Sequence, residues 1–370
     1  MSASGFGEQS EHLHRLDLAR GILSRAKQSF DLLLLQGSNA CVQNYYSIAG
    51  SVIRVVCREN LFKQKLLPAL AHLKTSAPVS FSSTVFLAGP EVLSQDWARG
   101  LKPGSTEIMA AEGYYESSPE TAAVLFVSQA FASVSCLDKK NKTALFGVTG
   151  LNEIPPYEIA APLRVLIYWL LALEGKQAVH AACVGTSNGA VLIAGRGGSG
   201  KSNTSLACLT SGLLFGGDDY MIVDGSMDPP RAYSFFASTK LFLKDLVRHP
   251  GLERYFAVHS GVVDGSEKMA AFMTEEGRRR ILDQAPVRAV LIPSISDSSE
   301  SSLEPMDRGA ALKELAPSTL FQFPGAGQAD FQRLASFVRK IPCYRLRLGR
   351  DPASFTALIK RLCENTETSL

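Results

Sequence analysis

Eight consecutive residues in the middle of the chain have the types and spacing of a loop that binds phosphate. The pattern G-x-x-x-x-G-K-[ST] is matched at every position by Gly195, Arg196, Gly197, Gly198, Ser199, Gly200, Lys201 and Ser202. Glycines allow backbone N–H groups to approach phosphate oxygens, and a helix that begins at the loop adds its partial positive charge. Lys201 would reach the β- and γ-phosphates, and the Ser202 hydroxyl would ligate Mg²⁺. We therefore expect this loop, with the adjacent Asn203, to bind a nucleoside triphosphate.

The alternative is a glycine-rich turn that matches the pattern by chance. An apolar run precedes the loop and a helix-like segment follows it, which is the context that a phosphate loop requires and a chance match lacks.

A pair of adjacent carboxylates follows the loop. Asp218 and Asp219 come directly after the apolar run at 212–217, so the pair lies at or near the end of a predicted strand. Adjacent carboxylates repel each other unless a cation or a shared proton offsets their charge. In isolation such a pair is typical of a solvated turn. Beside a phosphate loop it is a candidate metal ligand and proton acceptor.

His180 precedes the loop, on the strand predicted at 177–185. By itself a histidine in this position is more often a core or edge residue. Together with the loop and the Asp pair, it becomes a candidate for orienting the acid/base or the phosphate.

The elements that must position these residues follow from the apolar pattern. Strands are predicted at 177–185 and 190–195 and, interrupted by the Asp pair, over 213–225; a helix is predicted at 201–212. Further strands are expected at 287–293 and 343–349, on either side of a helix at 330–341. Strands that alternate with helices in this way indicate an α/β nucleotide-binding domain, which we place at 176–370.

The first 175 residues have a more mixed pattern, which predicts an α+β domain. Strands are expected at 46–57 and 83–89, a short helix at 64–73, two strands joined by a polar turn over 122–148, and an amphipathic to buried helix at 161–175. Helical periodicity near the N-terminus is carried by Leu16, Ala19, Leu23, Ala26, Phe30 and Leu33. This half of the chain could recognise substrate, mediate homo-oligomers or shield the sheet.

The composition excludes several classes of protein. With 46% hydrophobic and 20% charged residues, the 370-residue chain is typical of a globular protein. The net charge is only +3 and the basic residues alternate with acidic ones, so we expect no nucleic-acid partner and no membrane surface. The seven cysteines are scattered and never spaced C-x-x-C, which favours a reducing compartment. No signal peptide is recognisable, so cytoplasm is the expected location.

Residues 179–223, VHAACVGTSNGAVLIAGRGGSGKSNTSLACLTSGLLFGGDDYMIV, resemble the HPr kinase/phosphorylase superfamily. That family places a strand with an initial histidine before the phosphate loop, and an Asp-Asp pair one helix and one strand after it. The intervals from His180 to Lys201 and from Lys201 to Asp218 agree with the family without insertions, and the resemblance covers residues 176–245.

The resemblance implies an HPr-kinase-like P-loop domain with a mixed sheet and flanking helices. It also implies ATP-dependent transfer of phosphate to a serine of a peptide or protein. Lys201 and Ser202 would then hold the triphosphate and Mg²⁺, with Asp218 as a second metal ligand. Asp219 would be the base that takes the serine proton, supported by Asp218 and His180.

The match fades beyond this segment. The family's further acidic metal ligand has no clear counterpart, since RAYSFFASTKL at 231–241 occupies that region. This text and the segment from 311 to 349 are similar to the HPr-kinase-like proteins of lasso-peptide biosynthesis, which phosphorylate a C-terminal serine of the precursor peptide. From the residues alone, a small-molecule hydroxyl kinase and a nucleotide-gated interaction module stay open as alternatives.

Several basic residues are secondary candidates. Lys240 could contact phosphate or a substrate carboxylate, or be solvated. A cationic clamp for the γ-phosphate could come from the run at 278–280 and from Arg288, although a solvated helix face is the simpler interpretation of that run. Arg345 and Arg347 would share one face of a strand.

Overall fold

The structure of the chain is a computed structural model. It describes residues 24, 28, 41–57, 60–89, 113–116, 123–128, 133–148, 150, 152, 154–263 and 268–364. The helix predicted near the N-terminus lies outside the described residues, apart from Ser24 and Gln28, which are helical. The chain divides into two compact units. The first comprises residues up to 67, 73–158 and 163–173, and the second comprises 68–72, 159–162 and 174–370.

The first unit is built on an eight-stranded mixed sheet. Its strands are β1 (Val42–Ile48), β2 (Ser51–Cys57), β3 (Lys74–Thr75), β4 (Ser83–Ala88), β5 (Gly113–Glu116), β6 (Ala123–Ser128), β7 (Ser133–Asp138) and β8 (Thr143–Val148). They lie in the order β3-β1-β2-β4-β8-β7-β6-β5, in which β2–β4 and β4–β8 are parallel. The helices of this part of the chain are α1 (Asn60–Lys65), a 3-10 helix at Leu67–Leu73, α2 (Pro156–Ala160) and α3 (Arg164–Ala172). In α3 every side chain from Val165 to Leu171 is buried, as the apolar pattern predicted.

Two of the predicted boundaries in this unit are wrong. The strand expected at 46–57 is a hairpin, because Ala49 and Gly50 both have positive φ (51° and 83°) and form a two-residue turn between β1 and β2. The segment 122–148 contains three strands, β6, β7 and β8, where two were expected.

The second unit contains a larger mixed sheet and a small three-stranded sheet. The larger sheet is formed by β9 (Gln177–Thr186), β10 (Gly189–Ala194), β11 (Leu214–Gly217), β12 (Tyr220–Asp224), β13 (Arg231–Ser234), β17 (Gln284–Ile295), β18 (Ser302–Pro305) and β19 (Cys343–Leu348). The small sheet is formed by β14 (Ser238–Leu241), β15 (Phe256–Val263) and β16 (Lys268–Met273). The helices are α4 (Lys201–Thr210), α5 (Leu243–Arg248), α6 (Glu275–Arg278), α7 (Arg308–Leu320), α8 (Gln328–Arg339) and α9 (Pro352–Glu364), with a 3-10 turn at Leu252–Arg254.

The long strand β9 organises the larger sheet. Its first half pairs with β12 and its second half pairs with β10 and β11, all antiparallel. Strand β17 runs parallel to β10 and to β19, which makes the sheet mixed. The strands and helix predicted over 177–225 are all present, and so are the elements predicted near 290, 335 and 345.

Helices cover both faces of this sheet because successive side chains of a strand point to opposite sides. Ala181 and Cys183 of β9 belong to a core that includes residues of α7 and α8. Their neighbours Ala182 and Val184 belong to a second core that includes residues of α4 and α9. The result is the α/β architecture that the pattern predicted, and the sheet is mixed with flanking helices, as the resemblance implied. A third core packs the other face of α4 against the small sheet.

Candidate active site

The glycine-rich loop connects the end of β10 to the start of α4, in the strand–loop–helix arrangement predicted from the sequence. Gly195, Gly198 and Gly200 have φ values of 136°, 79° and 102°, a region that side chains with a Cβ rarely adopt. A Cβ on Gly200 would also lie 2.9 Å from Cδ1 of Leu348. The backbone of the loop therefore depends on glycine at these positions.

Lys201 is the first residue of α4, and its side chain folds back over the loop. Its Nζ donates to the carbonyl oxygens of Gly195 at 2.8 Å and Arg196 at 3.0 Å. Only 7% of Lys201 is exposed, and this burial lowers the pKa of its ammonium group against the opposing effect of the charges on Asp219 and Asp218. Two backbone carbonyls of the loop thus hold the ammonium group against it.

Asp218 and Asp219 occupy the break between β11 and β12, opposite the middle of β9. Asp218 is buried. Its Oδ1 accepts from the hydroxyl of Ser205 at 3.1 Å and its Oδ2 from that of Thr239 at 2.7 Å. Burial, and after it the neighbouring charge of Asp219, raises the pKa of the Asp218 carboxyl. This carboxyl lacks a full compensating charge and is suited to a cation.

Asp219 differs from its neighbour because it has basic partners. Its Oδ2 lies 2.6 Å from Nζ of Lys240, and its Oδ1 lies 3.7 Å from Nε2 of His180. Burial acts to raise the pKa of Asp219, but the nearby His180 ring and the charge of Lys240 together hold it well below the ordinary carboxyl value. Asp219 is therefore the ionised member of the pair at neutral pH.

His180 is fixed beside this carboxylate by the pairing of β9 and β12, in which it stands opposite Tyr220. Its backbone N–H donates to the Thr319 hydroxyl of α7 at 3.1 Å. Its ring lies 5.6 Å from that of Tyr220 between centroids, and its buried Nδ1 finds no hydrogen-bond partner among the described residues. The ring thus presents Nε2 to Asp219.

A cleft of about 680 Å³ opens over the loop and these side chains. This volume is in the range of sites that bind small molecules. The cleft is lined by His180, Gly197, Gly198, Gly200, Lys201, Ser202, Asn203, Asp219, Lys240, Phe242, Lys244, Asp245, Arg248, Lys268, Ile295, Ser296, Gln322, Leu348, Gly349, Arg350 and Phe355.

Most of the residues that the sequence singled out therefore surround one cavity. Asp218 is the exception among the acid/base candidates, because it does not line the cleft. Arg196 belongs to the loop, but its side chain is 89% exposed and lies 3.9 Å from Glu314. Asn203 lines the cleft, and its Oδ1 is a hydrogen-bond partner of His249 Nε2 at 2.9 Å.

The structure gives Lys240 a role that the sequence left open, since it pairs with Asp219. It also adds residues that no motif marked, namely Ser205, Thr239 and Thr319, which hold Asp218 and His180 in place. Their sequence signal is weak because hydroxyl residues are common in strands and helices.

The arginine run and Arg288 do not form a cationic clamp in this cleft, and the solvated helix face was the simpler interpretation of the run. Arg278 and Arg280 donate to backbone carbonyls of Met273 and Leu213, Arg279 pairs with Glu275, and Arg288 donates to the carbonyl of Asn188. None of these arginines lines the cleft. Arg347 pairs with Glu304 across β18 and β19.

Comparison with known proteins gives limited additional information. Part of the chain, 50% of it, is similar to the HPr(Ser) kinase/phosphatase from Coxiella burnetii over 93% of that protein, with 13% sequence identity and a TM-score of 0.26. No family model and no curated protein matches the sequence. A superposition this loose carries no functional argument, so the function proposed below depends on the site itself and on the sequence motifs.

None of the helices in the described part of the chain combines the length and apolar composition needed to cross a membrane. All seven cysteines are described and free, and six of them are buried.

Proposed function

We propose that this protein is an ATP-dependent kinase that transfers the γ-phosphoryl group to a serine hydroxyl of a peptide or protein. The observation that carries the proposal is that Lys201 of the glycine-rich loop and the ionised Asp219 line the same cleft. A phosphate-binding group and a proton acceptor on one cavity are the two parts that transfer to an alcohol requires.

The loop supplies the first part. Its backbone N–H groups and the start of α4 favour an anion, and the Lys201 ammonium adds a full charge. In the free protein this ammonium group bonds to two loop carbonyls, which are neutral acceptors. Phosphate oxygens are stronger, charged acceptors for the same group.

A divalent cation fits beside the loop. Ser202 and Asp218 present hard oxygen ligands, which Mg²⁺ prefers, and the buried carboxyl of Asp218 has a raised pKa that a cation would reverse. In the described residues no cluster of three or more His, Cys, Asp or Glu could hold a metal by itself. That is compatible with an ion that reaches the site with the triphosphate and keeps few protein ligands. Bound Mg²⁺ would neutralise charge on the phosphates.

Asp219 supplies the second part. As the serine oxygen forms its bond to the γ-phosphorus, the bond from that phosphorus to the β–γ bridging oxygen breaks and ADP leaves. The serine proton passes to a carboxylate oxygen of Asp219. His180, through Nε2, keeps that carboxylate oriented toward the cleft. Lys201 stabilises the charge that develops on the transferred group.

The choice of serine, and of a peptide, is supported by the resemblance of residues 176–245 to HPr kinases. The narrower resemblance to lasso-peptide kinases makes a C-terminal serine of a precursor peptide the acceptor that we propose to test first.

The test is to incubate the purified full chain with Mg-ATP and serine peptides, including one that ends in serine, and to measure the mass of each peptide. We expect one phosphate to be added by the wild type, and Asp219→Asn to lose at least about 100-fold in turnover, as is usual for a removed general base. Equal turnover by wild type and Asp219→Asn would refute the role of Asp219. ATP binding without transfer to any peptide would refute the serine kinase.

A further inference from the structure

Besides Arg350, three basic side chains of the cleft lie apart from the loop and the Asp pair. Lys244 and Arg248 belong to α5 and Lys268 begins β16, and all three line the cleft. None of them forms an ion pair with a described residue, in contrast to Lys240, which is paired with Asp219. We call these three residues the basic rim.

The ammonium groups of two rim residues pack on one aromatic ring. Nζ of Lys244 lies 4.4 Å from the centroid of the Phe242 ring and Nζ of Lys268 lies 5.1 Å from it. A cation that packs on an aromatic face gains a modest attraction without losing its charge. The ring therefore holds two ammonium groups close together despite their mutual repulsion.

The acidic residue nearest in the chain does not neutralise the rim. Asp245 is buried, and its Oδ2 accepts from the backbone N–H of Phe242 at 2.9 Å, where it caps α5. Its carboxylate forms no ion pair with a described residue, and the three rim cations outnumber this one carboxylate on the cleft.

The rim faces the phosphate loop. The charge of Lys268 is close enough to Lys201 to lower the pKa of Lys201. In addition, Arg248 donates to Oδ1 of Asn203 at 3.4 Å, which ties the end of α5 to the first turn of α4. A group bound between the rim and the loop would therefore lie next to a phosphate held at Lys201.

Two exposed aliphatic side chains lie on the same helix as two of the rim residues. Leu243 and Val247 of α5 are 69% and 82% exposed, which is unusual for aliphatic side chains on a helix that borders a cleft. Together with the rim they offer apolar and cationic contacts side by side, as an extended acidic peptide would use and a free small anion would not.

We propose that the basic rim binds carboxylates adjacent to the acceptor hydroxyl, so that this kinase selects acidic peptides. The proposal rests on the proposed function and specifies its substrate class. The carboxylates can come from aspartate or glutamate side chains, or from the C-terminus of a peptide that ends in serine.

The experiment compares short, fluorescently labelled peptides that are identical except near a single serine. In one set the serine is flanked by aspartates, asparagines or lysines; in a second set the peptide ends in serine as the free acid or as the amide. We expect kcat/KM and binding affinity to be about tenfold higher for aspartate than for asparagine, and lowest for lysine. If kcat/KM and affinity are higher for the free-acid peptide than for the amide by a similar factor, the rim also binds the C-terminal carboxylate.

The double variant Lys244→Glu/Lys268→Glu tests the residues themselves. We expect its preference to reverse, with the lysine peptide bound better than the aspartate peptide, and the KM for peptide to change more than the KM for ATP. Arg339→Glu is the matched control, because Arg339 is an exposed basic residue on α8 that does not line the cleft. Circular dichroism and thermal melting establish that each variant is folded.

Each outcome separates the two proposals. Equal use of the aspartate and asparagine peptides would overturn the role of the rim and leave the kinase intact. A double variant that raises only the KM for ATP would also overturn it, by assigning the rim to the nucleotide. A third outcome is that no peptide is phosphorylated but the aspartate peptide still binds best to the protein with Mg²⁺ and a non-hydrolysable ATP analogue. That result would support carboxylate binding by the rim and refute the serine kinase activity.

Discussion

Nζ of Lys240 lies 2.6 Å from Oδ2 of Asp219, which joins the small sheet to the break between β11 and β12 in the larger one. Both side chains are largely buried and both line the cleft. The pair keeps Asp219 ionised, and it also makes Asp219 a weaker base than a free carboxylate. Lys240 therefore controls the residue to which we assign the proton transfer.

Replacement of Lys240 by methionine should shift the pH dependence of the reaction. Loss of the cation raises the pKa of Asp219, so the acidic limb of the kcat/KM profile, which reports protonation of Asp219, should move to higher pH. The measurement is kcat/KM across the pH range in which the protein is folded. Lys240→Arg keeps the charge and should retain the wild-type limb, whereas an unshifted limb in Lys240→Met would contradict the assignment.

Lys201→Met should weaken ATP binding. Hydrogen bonds from a charged donor to phosphate contribute about 1.5–3 kcal/mol, so the Kd for Mg-ATP should rise about 10- to 100-fold. Isothermal titration calorimetry measures this directly, with Arg339→Met as a control for loss of a basic residue elsewhere. An unchanged Kd would show that the loop does not hold the triphosphate.

Asp218→Asn should stabilise the free protein at neutral pH while it removes turnover. The pKa of Asp218 is higher in the folded protein than in the unfolded chain. Ionisation of Asp218 therefore begins to destabilise the folded state once the pH exceeds the ordinary carboxyl pKa of about 4, and this destabilisation reaches its full size above the raised pKa. The amide carries no such cost. We expect Tm to increase by about 2 °C at neutral pH and the difference to vanish below about pH 4.

Thermal melts over a pH series, without nucleotide or metal, measure this effect. A variant less stable than wild type at neutral pH would mean that the hydrogen bonds from Ser205 and Thr239 outweigh the cost of the buried charge.

Gly200→Ala should disturb the loop and Gly197→Ala should not. An alanine at 200 would adopt φ near 102° with its Cβ 2.9 Å from Leu348, which predicts a loss of about 1–3 kcal/mol of stability. Gly197 has no left-handed φ, and a Cβ added there would meet no atom within 4 Å, so its alanine variant should stay within about 0.5 kcal/mol of wild type. Denaturant unfolding of both variants checks the contrast, and equal stabilities would refute it.

The sequence predicted the central part of the second unit well because the signals there are local. Apolar runs, a glycine-rich loop and a helix follow one another between 177 and 225, and each is read from residues that are contiguous in the chain. In the first unit the same method missed the β1–β2 hairpin, since an Ala-Gly turn inside an apolar run has little compositional contrast.

The sequence by itself determined the glycine-rich loop, the Asp pair and the histidine, because their types and intervals are properties of the chain. Only the tertiary structure decided which of the basic residues join them. Strand β14 brings Lys240 to Asp219, and α5 with β16 places the basic rim on the cleft, while the arginine run at 278–280 bonds elsewhere. Which basic residues reach the cleft depends on the pairing of segments that are distant in the chain. The energy of this pairing comes from burial and charge throughout the unit, so it cannot be predicted from a local sequence pattern.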